Sequence, residues 1–562
     1  MIVYQADKKQ FLRDHQDNDI DEVVHERFRV ATGHSVANRE LRSWRASLGF
    51  MATVMRDDDI PDDTGVAIEY HLPQSSKRID MMLTGYGHDG ARNAVVVELK
   101  QWETVEATLK DAVVVTFLAN ALREVVHPSY QAWSYANLLE SFNEAVYDGG
   151  IVIRPCAYLH NYTRDGVIDS PRYASYIEKA PLFLKGKDER AELREFIKKH
   201  VKKGDNKTIL YEMEHGRIRP SKALADSLSG LLRGNPEFTL IDDQKTVFEA
   251  AKAAAQVATE ARPIVVIVHG GPGTGKTVVA VNLLVALIGK GQFGKYVSKN
   301  AAPRKVYETK LSGAMTRRRF GILFVGSGAF IDTVDNTFEF LVVDEAHRLN
   351  KKSGMYGVDG ENQIMEIINS AKCTIFFLDE DQRVTLKDIG SKEQIVNFAN
   401  AKGAVVEEYT LSSQFRCSGS DGYLAWLDNT LDIRSTANVR LDATGYDFQV
   451  FDDPVEMHAA IEAKNGANKA RVVAGYCWPW TSRRVPTATD IAIGSDYRRR
   501  WNLDKDGSLW IISPESVNEV GCIHTCQGLE VDYIGVIIGP DLIVRAGQRE
   551  VARLFKTESV AF

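Results

Sequence analysis

Apolar and polar residues follow two different periods along the chain, and these periods predict where strands and helices lie. Residues 66–102 contain three apolar runs, VAIEYHLP, RIDMMLTG and NAVVVELKQW, and the Gly-rich stretch between the last two predicts a turn. Helical spacing of apolar residues predicts helices on both sides of this meander, over residues 19–55 and 103–147. An α/β domain is therefore expected over residues 1–160.

The remainder of the chain shows a helical stretch followed by a strand–helix alternation. Residues 182–234 alternate charge with helically spaced apolar residues and end in a Gly-Asn-Pro stop, so we expect a helical connector over residues 161–235. The runs PIVVIVHG, FGILFVG, FEFLVVDE and CTIFFLDE then alternate with helical stretches, as in a parallel sheet with crossover helices. This pattern predicts one α/β domain over residues 236–402 and part of another over residues 403–562.

The composition is that of a folded protein with several domains. The 562 residues are 44% hydrophobic and 26% charged, and the net charge of −7 argues against bulk electrostatic adhesion to nucleic acid. Six scattered cysteines are too few for a disulfide framework, and the amino terminus lacks a basic stretch followed by an apolar core. The apolar runs fall short of the roughly 20 residues of a membrane-spanning helix. A cytoplasmic location without membrane association is expected.

The motif GGPGTGKT stands between the apolar run PIVVIV and the helical run VVAVNLLVAL, the strand–loop–helix context of a phosphate-binding loop. Gly270, Gly273 and Gly275 allow backbone N–H groups to close around phosphates. Lys276 would neutralise the β- and γ-phosphate oxygens, and Thr277 would offer its hydroxyl to Mg²⁺. The motif predicts ATP binding.

A second motif, LVVDEAH, is acidic and lies at the end of another predicted buried strand. Asp344 is suited to hold Mg²⁺ together with Thr277, and Glu345 to polarise the water that attacks the γ-phosphate. The two motifs together predict ATP and Mg²⁺ as the cofactors of a hydrolytic site.

These motifs, in this order, resemble those of superfamily 1 helicases, and more narrowly the Schlafen-group-3-like DNA/RNA helicase domain of bacterial proteins. The resemblance covers about residues 235–540 and implies RecA-like P-loop domains. It also implies roles for residues in four further segments: Gln244 reads adenine, Gln382 senses the γ-phosphate, Arg416 is the arginine finger, and Gln527, Gly528 and Glu530 couple the nucleic-acid strand to the nucleotide.

Two features of the chain bear on its partners. Residues 291–320 include eight basic side chains and one acidic one, and they lie where the family touches nucleic acid. No threonine-arginine pair of the family's sixth motif follows the fifth, and Arg545, Arg549 and Arg553 are expected on a terminal helix. We therefore expect an incomplete second RecA-like domain, with a homo-oligomer or a partner subunit completing the ATPase site.

The amino-terminal domain carries a second candidate site. Asp80 lies on the run RIDMMLTG, and Glu98 and Lys100 lie on VVVELK. Because residues two apart on a strand face the same side, Glu98 and Lys100 project together, and a neighbouring strand can bring Asp80 beside them. Asp80 and Glu98 would bind a divalent cation such as Mg²⁺, and Lys100 would orient or activate a water.

Gln131 and Tyr135 follow the meander at helical i,i+4 spacing. The arrangement D, E-x-K, Q-x-x-x-Y resembles the PD-(D/E)xK nucleases, specifically the branch with RecB-type nuclease domains, over about residues 20–160. The resemblance implies a restriction-endonuclease-like fold, catalysis by these residues, and Mg²⁺ or Mn²⁺ at the site. Glu40 matches the family's helical acidic residue, whereas the proline of the family name is absent beside Asp80.

The chain is therefore expected to be an α/β protein in which a PD-(D/E)xK nuclease-like domain precedes P-loop RecA-like domains. The leading hypothesis is an ATP-dependent nucleic-acid-processing enzyme, a metal-dependent nuclease joined to a helicase-like ATPase. It would act on DNA in preference to RNA, in anti-phage defence or DNA repair. The alternative is an ATP-gated nucleic-acid-binding scaffold or translocase with a silent nuclease fold. The nuclease and ATPase sites are expected to lie in separate domains.

Overall fold

Two large sheets, one mixed and one parallel, form the framework of the molecule, which we describe from a computed structural model. The structure describes residues 2–17, 20–32, 38–72, 77–118, 120–216, 239–311, 321–353, 359–383, 387–412, 421–431, 440–441, 447–485, 487–502, 507–522, 531–539, 542–545 and 548–551. Within these ranges, no helix combines the length and apolar character needed to cross a membrane.

The first sheet is mixed and belongs to the amino-terminal part of the chain. Its strands are β1 (Ile2–Asp7), β2 (Gly65–His71), β3 (Arg78–Tyr86), β4 (Arg92–Lys100), β8 (Ile151–Leu159), β9 (Leu182–Phe183) and β10 (Lys203–Gly204). The order is β1-β2-β3-β4-β8-β9, with β10 beside the end of β3. Strands β2, β3 and β4 form the predicted antiparallel meander. Strand β1, which was not predicted, pairs antiparallel with β2, and β8 runs parallel to β4.

Helices cover both faces of this sheet. They are α1 (Lys8–Gln16), α2 (Ile20–Thr32), α3 (Asn38–Met55), α4 (Pro128–Phe142), α5 (Glu144–Tyr147), α6 (Ala174–Lys179), α7 (Lys187–His200) and α8 (Thr208–His215). Alternate residues of β4 pack on opposite faces: Val95 and Val97 join the core beneath α1, α2, α3 and α7, and Val96 joins the core beneath α4, α5 and α8. The run of valines is therefore a strand that is buried on both sides.

The prediction of helix throughout residues 103–147 is wrong for its first part. A small antiparallel sheet of β5 (Glu106–Ala107), β6 (Val113–Leu118) and β7 (Ala121–Val126) precedes α4. The β-branched run of β6 fits a pleated surface better than a helix. Asn120 has a φ of 64°, a conformation that asparagine tolerates in tight hairpin turns.

Residues beyond 160 contribute directly to the amino-terminal sheet. Strand β9 pairs with β8, and β10 pairs with β3 at Gly85 and Tyr86. The core beneath α7 includes Leu193 and Ile197 from that helix. The stretch up to residue 216 is therefore built into the first domain, although we expected a helical connector from residue 161.

The second sheet is entirely parallel. Its strands are β11 (Ile264–Gly270), β12 (Gly294–Ser298), β13 (Phe324–Val325), β14 (Phe338–Asp344), β15 (Ala371–Leu378) and β16 (Val405–Leu411). The helices of this region are α9 (Asp242–Val257), α10 (Lys276–Gly289), α11 (Ala301–Leu311), α12 (Gln363–Asn369) and α13 (Lys392–Lys402). The order is β13-β12-β14-β15-β11-β16, and β16 pairs with β11. The first α/β unit thus continues past residue 402, where we expected it to end.

The carboxyl-terminal region holds smaller sheets. Its elements are α14 (Asp421–Thr430), α15 (Pro454–Ala463), β17 (Ala470–Ala474), β18 (Ile491–Ile493), β19 (Tyr497–Arg499), β20 (Val520–Gly521), β21 (Tyr533–Ile537), β22 (Leu542–Arg545) and β23 (Gln548–Val551). Strand β17 lies between β20 and β21 in a parallel sheet. The prediction of a terminal helix is wrong at Arg545 and Arg549. Arg545 on β22 pairs with Gln548 and Arg549 on β23 pairs with Val544, and β-branched neighbours favour strand here. Arg553 lies outside the described residues.

We expect Gly85→Ala to destabilise the amino-terminal domain, because the new Cβ would lie 2.6 Å from the backbone oxygen of Lys203 on β10. Such overpacking typically costs about 1–3 kcal/mol, which thermal unfolding would detect. Gly49→Ala, in α3, is the matched control, because its Cβ would make an ordinary 3.5 Å contact with His15 of α1. Equal unfolding temperatures for the two variants would contradict the placement of β10.

Candidate functional sites

The phosphate loop connects β11 to α10. Gly273 and Gly275 have φ values of 76° and 82°, which side-chain-bearing residues rarely adopt. A Cβ at Gly270 would lie 2.5 Å from Oγ1 of Thr274. The three glycines therefore allow a tight loop that turns from the strand into the helix.

Lys276 occupies the centre of this loop. Its Nζ donates hydrogen bonds to the carbonyl oxygens of Gly270 (2.7 Å) and Gly271 (2.8 Å), and it lies 3.5 Å from a carboxylate oxygen of Asp379. Only 6% of the residue is exposed. A buried ammonium held by carbonyl groups is available to exchange these partners for phosphate oxygens.

Asp344 and Thr277 meet beside the loop, as expected for a shared Mg²⁺. The Thr277 hydroxyl donates to Oδ2 of Asp344 (2.8 Å), and so does the hydroxyl of Tyr296 on β12 (2.6 Å). Burial raises the pKa of Asp344, and the neighbouring Glu345 carboxylate raises it further. The carboxylate oxygen of Asp344 and the hydroxyl oxygen of Thr277 are hard ligands of the kind that Mg²⁺ prefers. Tyr296 carried no sequence signal, because only the pairing of β12 with β14 brings it here.

Glu345 follows Asp344 in a left-handed backbone conformation, with a φ of 54°. This turn directs the chain away from the strand, and Nε2 of His347 lies 3.1 Å from Oε2 of Glu345. The second carboxylate of the motif therefore has its own partner and is not part of the Asp344–Thr277 pair. This separation is consistent with different roles for the two acids.

The two predicted glutamines both lie at the loop. Nε2 of Gln244 on α9 donates to the carbonyl oxygen of Thr274 (3.1 Å). Nε2 of Gln382 donates to Asp379 (2.7 Å), the same carboxylate that faces Lys276. Asp379 was missed in the sequence, although its position directly after β15 is the same signal that singled out Asp344.

Several predicted residues cannot be placed. Arg416, Gln527, Gly528 and Glu530 lie outside the described residues. In the basic stretch, Lys299 is bonded to Asn350 and Asp388, and Lys305 pairs with Glu308. Part of this stretch is therefore engaged within the protein.

A pocket of about 450 Å³ opens at one end of the amino-terminal sheet, and it brings five predicted residues together. They are Asp80 on β3, Glu98 and Lys100 on β4, and Gln131 and Tyr135 on α4. Asp80 and Glu98 lie one position beyond the paired residues Met81 and Val97 of the antiparallel strands. Oδ2 of Asp80 accepts a hydrogen bond from the backbone N–H of Leu99 (2.7 Å), which holds this carboxylate beside β4.

Glu98 is buried, with 2% of its surface exposed. Its Oε1 accepts a hydrogen bond from Nζ of Lys100, whereas no donor within the described residues reaches its buried Oε2. Burial raises the pKa of Glu98, and the charge of Asp80 raises it further, against the opposing effect of Lys100. One oxygen of this carboxylate is thus available for a ligand in the pocket.

Gln131 and Tyr135 form a hydrogen-bonded pair on α4. Nε2 of Gln131 donates to Oη of Tyr135 (2.8 Å), and Oη of Tyr135 donates to Oδ2 of Asp242 (2.6 Å). Asp242 is the first residue of α9, so the nucleotide-binding region contributes a wall of the pocket. The two sites lie on different sheets, as expected, but Asp242 brings the second region into contact with the first site.

Other pocket residues were also missed in the sequence. Lys77 lies 3.6 Å from Asp242, and Glu69 accepts hydrogen bonds or ion pairs from Trp44 and Arg78. Glu40 lies on α3, and its side chain is not among those described. No cluster of three or more His, Cys, Asp or Glu side chains suited to a metal occurs in the described part of the chain. Asp80 and Glu98 remain a pair of candidate ligands, a number that Mg²⁺ sites often use together with water.

Residues 263–560 match the family model of the Schlafen group 3 DNA/RNA helicase domain. The chain belongs to this family. This confirms the resemblance read from the phosphate loop and the acidic motif, and it identifies the region from β11 onwards as a helicase-like ATPase domain.

Individual proteins and solved structures match this chain at low sequence identity. The uncharacterized protein YPL245W of Saccharomyces cerevisiae is 25% identical over 223 residues, 36% of this chain, and the chain spans about half (49%) of that relative. A DNA replication initiation factor is 13% identical with a TM-score of 0.19, over 40% of this chain and 61% of its own. The Sulfolobus solfataricus SWI2/SNF2 ATPase core in complex with dsDNA is 9% identical with a TM-score of 0.21, over 52% and 87%.

Substitutions in the phosphate loop and the acidic motif should separate nucleotide binding from hydrolysis. Lys276→Ala removes a charge that would bind phosphate and should weaken ATP binding about tenfold or more. Glu345→Gln keeps the shape of the side chain but removes the base, so ATP should still bind while hydrolysis falls about 10²-fold or more. Equilibrium binding and phosphate release measure the two effects.

The control for this pair is Lys290→Ala, which removes an exposed lysine just after α10. It should leave both measurements unchanged. Equal losses of ATP affinity in Lys276→Ala and Glu345→Gln would contradict the assigned roles.

Proposed function

We propose that the protein is an ATP-dependent nucleic-acid-processing enzyme that combines a metal-dependent nuclease with its helicase-like ATPase domain. The observation that carries the nuclease is the meeting of Asp80, Glu98, Lys100, Gln131 and Tyr135 in one pocket. These residues come from two strands and a helix and span more than 50 positions of the chain. We favour DNA over RNA as the substrate, and we propose a role in anti-phage defence or DNA repair because the resemblance implies it.

Asp80 and Glu98 would hold the metal at the pocket. The buried and unpartnered Oε2 of Glu98 fits a cation, because burial of an unpaired carboxylate oxygen is otherwise unfavourable. Mg²⁺ or Mn²⁺, when bound, supplies charge stabilisation at the phosphodiester and a more acidic water. The backbone N–H of Leu99 fixes Asp80, so one ligand is oriented before any metal arrives.

Lys100 and the α4 pair would act around these ligands. Lys100 lies against Glu98, and its ammonium is close enough to the pocket to orient a water or a phosphate oxygen. Gln131 and Tyr135 point their polar ends at each other and toward Asp242, so we assign them to positioning. In the ATPase site, Thr277 and Asp344 would hold Mg²⁺, and Glu345 would polarise water.

The alternative is an ATP-gated nucleic-acid-binding scaffold or translocase with a silent nuclease fold. The Glu98–Lys100 ion pair favours this alternative, because an ammonium already neutralises one carboxylate oxygen that a metal would use. The two hypotheses differ in cleavage and not in nucleotide binding, so a nuclease assay decides between them.

We expect the purified protein to cleave labelled DNA when Mg²⁺ or Mn²⁺ is present and to stop when the metal is chelated. Asp80→Ala and Lys100→Ala should each reduce cleavage about 10²-fold or more, because each removes a charge from the reacting site. Gln131→Ala should have a smaller effect. Single- and double-stranded DNA and RNA, with and without ATP, should be compared.

Asp188→Ala is the control, because it removes an exposed carboxylate on α7 of the same domain. It should cleave as the unmodified protein does. Undiminished cleavage by Asp80→Ala would contradict the nuclease site. If the unmodified protein does not cleave nucleic acid even with Mg²⁺ or Mn²⁺, the scaffold is favoured.

A further inference from the structure

Three consecutive residues at the start of α9 contact three different places. Asp242 lines the amino-terminal pocket, Asp243 accepts hydrogen bonds from the backbone and side chain of Ser412 at the end of β16, and Gln244 bonds to the phosphate loop at Thr274. The two candidate sites are therefore joined by a single helical turn.

Asp242 is firmly held in the pocket. Its Oδ2 accepts the hydrogen bond from Tyr135 and lies 3.6 Å from Nζ of Lys77, which also lies 3.8 Å from Asp243. Its Oδ1 is buried and has no hydrogen-bond donor within the described residues. Its φ of 37° is unusual for a residue with a side chain and costs conformational energy. The position is therefore determined by its surroundings and would respond to a shift in them.

Gln244 connects this position to the phosphate loop through both ends of its side-chain amide. Oε1 accepts a hydrogen bond from the backbone N–H of Ile241 (3.4 Å), directly before Asp242, while Nε2 donates to the carbonyl oxygen of Thr274. Gln244 is only 4% exposed, so water cannot readily replace these bonds. A change in the loop at Thr274 is thus passed to the backbone that carries Asp242.

Nucleotide binding requires such a change in the loop. Nζ of Lys276 now donates to the carbonyl oxygens of Gly270 and Gly271, which are replaced as partners when phosphate oxygens enter. Thr274 lies between these carbonyls and Lys276 in the sequence, and its own hydroxyl donates to Gly271. The groups that form these hydrogen bonds within the loop are therefore groups that a bound nucleotide would contact.

We propose that Asp242 is a positioning residue of the amino-terminal pocket, through which occupancy of the phosphate loop changes the placement of Tyr135 and Lys77. The consequence for cleavage rests on the proposed nuclease, whereas the link between the two places does not. Nucleotide binding then changes the conformation of the pocket, and a ligand in the pocket changes nucleotide affinity by the same free energy, as any thermodynamic coupling requires.

Hydrogen exchange of the full chain tests this link without requiring cleavage. A non-hydrolysable ATP analogue with Mg²⁺ should change the exchange rates of α4 amides around Tyr135 by about fivefold or more, in either direction. In Asp242→Asn, which keeps the shape but loses the charge, the change should fall below about twofold. Cleavage rates with and without the analogue are measured in parallel and should follow the same pattern.

Asp111→Asn is the matched control. Asp111 pairs with Lys245 of α9 (2.8 Å), so it joins the same two regions, but it does not line the pocket. This variant should keep the nucleotide response of α4. If Asp242→Asn does not fold, Tyr135→Phe removes only the hydroxyl that donates to Asp242 and tests the same link.

The outcomes separate the two proposals. The link is overturned if the exchange rates of the α4 amides do not change when the ATP analogue binds, or if Asp242→Asn keeps the full change. Either result overturns the link even if the protein cleaves DNA. A nucleotide response that is present in the unmodified protein and lost in Asp242→Asn supports the link even if no cleavage is seen, and in that case the nuclease proposal alone fails.

Discussion

The burial of the central strands of both large sheets on both faces is the constraint on which the two sites depend. Side chains in the middle of β4 or β14 point into apolar cores, so charged groups reach solvent and ligands only near the strand ends. The antiparallel pairing of β3 and β4 puts Asp80 and Glu98 at the same edge. The parallel pairing of the second sheet collects Gly270, Asp344 and Asp379 at its carboxyl edge.

The charges at these edges are buried, and they are therefore paired inside the protein. Glu98 pairs with Lys100, Asp344 accepts hydrogen bonds from Thr277 and Tyr296, and Lys276 lies on carbonyl oxygens. A buried ion without such partners would cost several kcal/mol. A phosphate that binds Lys276 must replace carbonyl partners already present, so binding and local rearrangement are coupled at the phosphate loop, whereas Oε2 of Glu98 has no partner to be replaced.

Helix α9 makes the amino-terminal pocket and the phosphate loop parts of one structure. The hydroxyl of Tyr130 donates to the carbonyl oxygen of Leu240, just before α9, and Lys245 of α9 pairs with Asp111. The start of α9 is therefore bonded to the first domain. Its Gln244 also bonds to the phosphate loop. Helix α9 thus both attaches the nucleotide-binding region to the first domain and contacts the phosphate loop.

The sequence by itself determined the local chemistry: the meander with Asp80, Glu98 and Lys100, the phosphate loop with Lys276, and the family of the ATPase domain. These features depend on spacing within one or two adjacent elements, which strand and helix periods dictate. The strands over 106–126 were missed because a short apolar run has no period that distinguishes strand from helix. Asp242 and Tyr296 acquired their places only in the tertiary structure. Their partners lie far away in the chain, and side-chain packing and sheet order decide which of many distant polar residues meet.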